Sequence, residues 1–235
     1  MDLLARLAED PAKAALFLDV DGVLAPIVPK PEDARVPDET REELRRLSQR
    51  YALVACISGR AGADAQRVVG IPELVYVGNH GLELDGEAAG WGERLQRFLE
   101  GVAWPATENK QLTASLHYRG APDEDAAHKA LEDVKSRAER EGFVARFGRK
   151  VLEVLPPLEV HKGTAVRQLL AEQSLTRALY AGDDTTDLDG FKALDGLDVS
   201  VRIAVASEEG PAELREAADL TVAGPQELLA ILRNL

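Results

Sequence analysis

Short, almost uninterrupted apolar runs alternate with helical patterns along most of this chain. The runs are Ala14 to Leu18, Tyr51 to Ile57, Leu74 to Val77, Arg177 to Ala181 and Val199 to Val205. A strand with one wet face alternates apolar and polar residues, whereas a strand covered on both faces is apolar throughout. Helical patterns separate the runs, for example at 38–50, 162–172 and 211–218, and Leu220 to Val222 adds a last short strand. Consecutive strands joined through helices pair in parallel. The expected fold is α/β, with a doubly wound and mostly parallel sheet.

The pattern changes at Trp104-Pro105. Residues Leu112 to Tyr118 alternate with period two, and Asp123 to Glu141 carries an apolar stripe of Ala127, Leu131, Val134 and Ala138. Phe143–Phe147 and Val151–Leu155 follow as two strands paired across Gly148, and Pro156-Pro157 closes the segment. One-faced alternation beside a polar helix describes a small open α+β layer. Residues 104–157 are therefore expected to be an inserted smaller α+β domain, with 1–103 and 158–235 as the core. Locally, Asp38 or Thr40 suits the cap of the helix at 38–50, and Leu82 to Gly86 suits a hairpin turn.

The chain has 235 residues and a formal net charge of −13. Such a balance opposes binding of nucleic acid, whose backbone wants a basic surface. It also means that an anionic ligand needs a locally positive site. The single cysteine, Cys56, excludes an internal disulfide and lies in an apolar run, as a buried thiol does. Met1-Asp2-Leu3 lacks a basic start and a long apolar stretch, and no run reaches membrane-spanning length. A cytoplasmic protein without membrane partners, acting as a monomer, is expected.

Polar clusters terminate the apolar runs. Asp19 and Asp21 follow the first, Ser58-Gly59-Arg60 the second, and Asp183-Asp184 with Asp187 the fourth, while Lys162 opens a helix. In open α/β sheets ligands bind beyond the carboxyl ends of the strands, so clusters remote in sequence can meet. Asp19, Asp183 and Asp184, with the Asp21 carbonyl, can serve a hard cation, and Mg²⁺ prefers few carboxylates plus a phosphate. Ser58, the amides of Gly59 and Arg60 at a helix start, and Lys162 can hold that phosphate. Asp187 is placed to orient the lysine or waters. A carboxylate against phosphorus is a possible nucleophile, a role assigned to Asp19. Asp21 would then protonate the departing oxygen, a task that suits a carboxyl surrounded by other carboxylates.

In this order the clusters resemble the haloacid dehalogenase superfamily of phosphatases and phosphotransferases, whose inserted α/β cap selects substrates. Further stretches are similar to trehalose-6-phosphate phosphatases: Asp19 to Val28, Ser58 to Arg60, Gly78-Asn79-His80-Gly81-Leu82-Glu83, Glu108-Asn109-Lys110, His117-Tyr118-Arg119, Gly148-Arg149-Lys150 to Val154, and Gly182 to Asp187. The resemblance implies a Mg²⁺-dependent sugar-phosphate phosphatase in which Glu108, Lys110, Arg119 and Glu153 contact the sugar. Between Asn79 and Gly81, His80 reads either as a substrate contact or as a residue suited to an unusual backbone. Val23, Ala25, Leu155, His161 and Leu188 depart from residues frequent in relatives. Sucrose phosphate and mannosylglycerate phosphate are the competing substrates, and a silent sugar-phosphate sensor is the competing function.

Overall fold

The structure, a computed structural model, describes residues 3–148, 150–206 and 210–235; Met1, Asp2 and Arg149, quoted above, lie outside them. The chain forms two compact units, Met1–Gly81 with Val160–Leu235, and Leu82–Glu159.

Among the described residues the first unit carries a six-stranded sheet in the order β10-β9-β8-β1-β2-β3. Its strands are β1 (Ala14–Leu18), β2 (Leu53–Ile57), β3 (Val75–Val77), β8 (Arg177–Gly182), β9 (Val199–Val205) and β10 (Leu220–Val222). Every pairing is parallel. β1 and β2 are buried at all five positions, as their apolar runs require. Leu16 and Leu18 of β1 belong to a core with Val54, Cys56, Leu44 and Leu47. The chain winds outward from β1 to β2 and β3, then returns at β8 and winds the other way. The reversal lies between β1 and β8, where the ends of adjacent strands lead loops apart and leave a crevice.

The second unit has a four-stranded sheet, β4-β5-β7-β6, antiparallel throughout. These are β4 (Thr107–Asn109), β5 (Ala114–His117), β6 (Val144–Gly148) and β7 (Val151–Leu155), with helices α4 (Ala88–Glu100) and α5 (Glu124–Arg140). Leu116, Leu152 and Val154 pack with Leu95 and Phe98 of α4 and Leu131 and Ala138 of α5. The unit thus begins at Leu82 instead of residue 104: Leu95 and Phe98 bury their side chains with this second core, so α4 belongs to it.

Two local expectations change, and one strand is added. The segment Asn79–Leu84 is a pair of 3₁₀ turns with His80 at φ 56° and Gly81 at φ 110°, not a hairpin. The left-handed residues turn the chain before a strand can form. α2 (Asp38–Arg50) starts at Asp38 itself, after an extended Pro37, so neither Asp38 nor Thr40 caps it. β4 was not anticipated, because three residues containing Glu108 and Asn109 carry no strand pattern. No helix among the described residues is long and apolar enough to cross a membrane.

Candidate active site

β1 and β8 are neighbours in register, with Leu18 opposite Ala181. Asp19 and Asp183 follow their carboxyl ends and so arrive together. One carboxylate oxygen from each of Asp19, Asp183 and Asp187 lies within 4.8 Å of the others. Gly22 makes room for this: at φ 75° it occupies a conformation that suits glycine, and a methyl group there would lie 2.1 Å from Asp183 Oδ2.

Lys162, the first residue of α6 (Lys162–Glu172), reaches into the cluster. It is 2% exposed, and its ammonium donates to Asp19 Oδ2 at 2.6 Å and Asp187 Oδ1 at 2.7 Å. An ammonium has three N–H donors, so one stays available for an anion. Asp187, wholly buried, also accepts from the Tyr180 hydroxyl at 2.8 Å and from the amides of Asp183 and Asp184 at 2.9 and 3.0 Å. Four donors use the four acceptor positions of a carboxylate. Asp187 is therefore an anchor for Lys162 and for the Asp183 loop, although it lies near enough to count as a metal ligand. Asp19 Oδ1 accepts its neighbouring Val20 amide at 2.7 Å.

The electrostatics follow from three carboxylates sharing one ammonium. Burial pushes Asp19 up to about 7, against the pull of Lys162 and with the push of Asp187. Burial, reinforced by Asp19 and Asp187, pushes Asp183 up to about 8. Burial works against the charge on Lys162, but Asp187 and Asp19 hold its pKa above the ordinary lysine value. Tyr180 is pushed well above its usual range by burial and Asp187, so it stays a neutral donor. An excess of negative charge in a poorly hydrated cleft calls for a cation. The donors are all hard oxygens, which fit Mg²⁺ and not a thiolate-seeking metal.

Asp21 and Asp184 stand outside this cluster of three. Asp184 is exposed, and its Oδ1 accepts the Thr185 amide at 2.6 Å and hydroxyl at 3.1 Å. Asp21 has a guanidinium for a partner where carboxylates were expected. Arg60 donates to it twice, Nε to Oδ2 at 2.6 Å and Nη2 to Oδ1 at 2.8 Å. The Arg60 amide is also committed, to Ser58 Oγ at 3.2 Å, and the next helix, α3 (Gly62–Val69), begins only at Gly62. Arg60 is thus not a phosphate donor at a helix start in this arrangement. Ser58 is 1% exposed at the end of β2, and Gly59 lies under the His80 ring, where a methyl group would meet Cε1 at 2.7 Å. His80 therefore covers the Ser58-Gly59 turn in its left-handed conformation.

In the second unit, strand register aligns Glu108, Ser115, Glu153 and Arg146 in one row across the sheet, on the face away from the apolar core. Glu108 Oε2 meets His117 Nε2 at 3.2 Å and Lys110 Nζ at 3.8 Å, and Arg146 Nε donates to Glu153 at 2.9 Å. Glu108, Lys110 and Glu153 thus share a face, while Arg119 is exposed in the turn beyond β5. Sequence reasoning missed Tyr180, Asp64 and Arg67. Asp64 accepts from Arg60 Nη1 at 2.6 Å and from Arg67 Nε at 2.8 Å. Only the spacing Arg60, Asp64, Arg67, three and four residues apart, hinted at that chain. Burial pushes the Cys56 thiol far up, which leaves it inert beside this site.

A family model described as trehalose-phosphatase matches residues 17–103 and 92–226. A trehalose 6-phosphate phosphatase of Zea mays is 30% identical over 254 residues, covering 94% of this chain and 69% of that protein. A solved trehalose-6-phosphate phosphatase of Aspergillus fumigatus is 28% identical, with a TM-score of 0.64 and coverage of 100% of this chain and 97% of that one. A haloacid dehalogenase-like hydrolase from Bacteroides thetaiotaomicron, 15% identical, shares the fold at a TM-score of 0.61 over 95% of this chain and all of that one.

Proposed function

Because this chain belongs to the trehalose-phosphatase family, a family of phosphoric monoester hydrolases, we propose that it cleaves trehalose 6-phosphate to trehalose and phosphate. The observation that carries the reading is the buried junction of Asp19, Lys162 and Asp187 beside Asp183. A buried carboxylate held by a buried ammonium, with a further donor free, suits attack on an anionic phosphorus.

In this reading Asp19 attacks phosphorus in line and the bond to the sugar oxygen breaks. Asp21 gives its proton to that oxygen. Water then forms a bond to phosphorus, the Asp19–phosphorus bond breaks, and Asp21 takes the water proton. Lys162, the Ser58 hydroxyl and the Gly59 amide hold the phosphate oxygens. Asp19 and Asp183, with the Asp21 carbonyl, would hold Mg²⁺, which supplies positive charge against the phosphate and offsets the carboxylates. Glu108, Lys110, Arg119 and Glu153 would contact sugar hydroxyls, as carboxylate acceptors and cationic donors can. Asp184 would serve from the rim by orienting water.

The test is phosphate release from trehalose 6-phosphate, sucrose phosphate and mannosylglycerate phosphate, each with and without a chelator. Release from trehalose 6-phosphate that chelation abolishes is the expected result. Release from only another sugar phosphate would reject the substrate, and release unaffected by chelation would reject the metal.

A further inference from the structure

We propose that the Arg60 side chain is a positioning residue for the proton donor, acting through Asp21 and not on the phosphate. The proposal rests on the phosphatase reading for its chemistry and on the Arg60–Asp21 contact for its evidence.

The contact is a two-pronged fork. Nε and Nη2 of one guanidinium meet the two oxygens of one carboxylate, at 2.6 and 2.8 Å. Such a fork fixes the carboxylate plane as well as its place, which a lysine at the same position cannot do. It uses one acceptor position on each oxygen and leaves the other for a proton. Asp21 needs this help. It follows β1 by three residues, its side chain is 35% exposed, and among the described residues its carboxylate accepts no other hydrogen bond.

Arg60 is itself held from two further directions. Its remaining arm, Nη1, donates to Asp64 Oδ2 at 2.6 Å, and Arg67 holds the other oxygen of Asp64 at 2.8 Å. Its carbonyl accepts the Asn79 amide at 2.7 Å, which ties the β2 loop to the turn after β3. The guanidinium is 10% exposed at its side chain and so loses little to solvent. Arginine, aspartate and arginine thus form a chain that starts on the helix surface and ends at the carboxylate beside the nucleophile. Proton transfer depends steeply on geometry, so a donor free to swing would transfer poorly.

The role separates from a structural one by the leaving group. A sugar alkoxide must be protonated as it departs, whereas p-nitrophenolate leaves unprotonated. Arg60→Gln should lower kcat/KM on trehalose 6-phosphate by about 30- to 100-fold, a part of the about 10²–10⁴-fold that a general acid contributes. On p-nitrophenyl phosphate the same variant should lose about threefold or less in kcat/KM, which reports the first transfer alone, while kcat falls with the water step that Asp21 also serves. Asp21→Asn should show the same selectivity, larger, and the double variant should match Asp21→Asn within about threefold, since both act on one step. Arg60→Lys, which keeps the charge without the fork, and Asp64→Asn, which releases one arm, should each show a smaller selective loss; they carry the test if Arg60→Gln does not fold. Equal losses of kcat/KM on both esters, or losses that multiply in the double variant, overturn the proposal. Wild-type activity confined to another sugar phosphate would sink the substrate and leave the alkyl-against-aryl comparison intact on that sugar.

Discussion

The two units solve opposite problems with charge. In the first, charged groups are drawn inward: Asp19, Lys162 and Asp187 are all at most 6% exposed and satisfy one another. In the second, Glu108, Arg146 and Glu153 line a sheet face that stays partly open, while the other face carries the apolar core. A parallel sheet buried on both faces has nowhere to place charge except at its strand ends, and there every charge needs a partner. An antiparallel sheet with one wet face can carry charges along its whole width. The first arrangement suits a fixed reaction and the second suits recognition, because replacing one solvated side chain leaves its neighbours satisfied. The predictions below probe that division.

The largest effect should come from the buried cluster. If Asp19 is the group that attacks phosphorus, as proposed, Asp19→Asn should lower kcat on every phosphate ester by about 10⁴-fold or more, with little change in KM. Lys162→Met should do so as well and should cost about 3–5 kcal/mol of stability, because it strands two buried carboxylates. A thermal melt and steady-state kinetics on two esters read both. If activity on an aryl phosphate survives either change, the inward half of the comparison is wrong.

The sheet of the first unit was legible because continuous apolar runs have few other homes, and Asp19 with Asp183 could be joined because both end such runs. The Arg60 fork was not legible, since nothing in Ser58-Gly59-Arg60 tells a backbone donor from a side chain reaching 39 positions back to Asp21. Four saturated acceptors on Asp187 were equally hidden: a local acid at a helix start looks the same whether it binds a metal, water or a lysine. In the second unit α5 declared itself by its stripe, and Asp123 caps it through the Ala126 amide at 2.9 Å. The membership of α4 was not declared, because an amphipathic helix does not say which sheet its apolar side will meet.

Next in size is the response to pH and metal. The ordinary aspartate value of 3.8 rises to about 7 at Asp19 and about 8 at Asp183 in the metal-free fold. A folded state that keeps protons the unfolded chain has lost is favoured at low pH. These two groups therefore contribute stability that is fully present below about pH 4 and lost as pH rises to about 8. The metal-free protein should melt on the order of 5 °C lower at pH 8 than at pH 6 from this source. Mg²⁺ should restore the loss at pH 8 and add less at pH 6, since it binds the ionised carboxylates. Calorimetry at both pH values, with and without Mg²⁺, decides it; a melting point indifferent to Mg²⁺ at pH 8 would remove the cation from the cluster.

The outward half predicts a different signature. Glu153→Ala should lower kcat/KM on trehalose 6-phosphate by about 10- to 100-fold, the worth of one or two charged hydrogen bonds. Activity on p-nitrophenyl phosphate should hold within about twofold. Arg146, left without its partner at 2.9 Å, is exposed and can turn to water, so the melting point should move little. Equal loss on the aryl ester would mean that the row does more than recognise sugar.

The smallest effects make the sharpest contrast, because two helix caps carry similar bonds in the two units. Asp123 Oδ1 accepts the Ala126 amide at 2.9 Å at the start of α5. His161 Nδ1 accepts the Gly163 amide at 3.2 Å at the start of α6, and Thr164 Oγ1 accepts the His161 amide at 3.1 Å in return. Deleting either cap to alanine should cost about 1 kcal/mol, or about 2–4 °C in melting point. The consequences for rate should differ. The α5 cap is followed by Glu124, which holds the Gly120 amide at 2.9 Å and the Lys150 ammonium, and by exposed Asp125, none of them a group of the buried cluster, so Asp123→Ala should leave kcat on an aryl phosphate unchanged. The α6 cap is followed at once by Lys162, whose ammonium sits 2.6 Å from Asp19, so fraying that first turn loosens the contact on the Asp19 carboxylate. His161→Ala should therefore lower kcat several-fold at the same cost in stability. Equal melting points with unequal rates would show that position along the chain, and not the strength of the bond, decides what a helix cap is for in this protein.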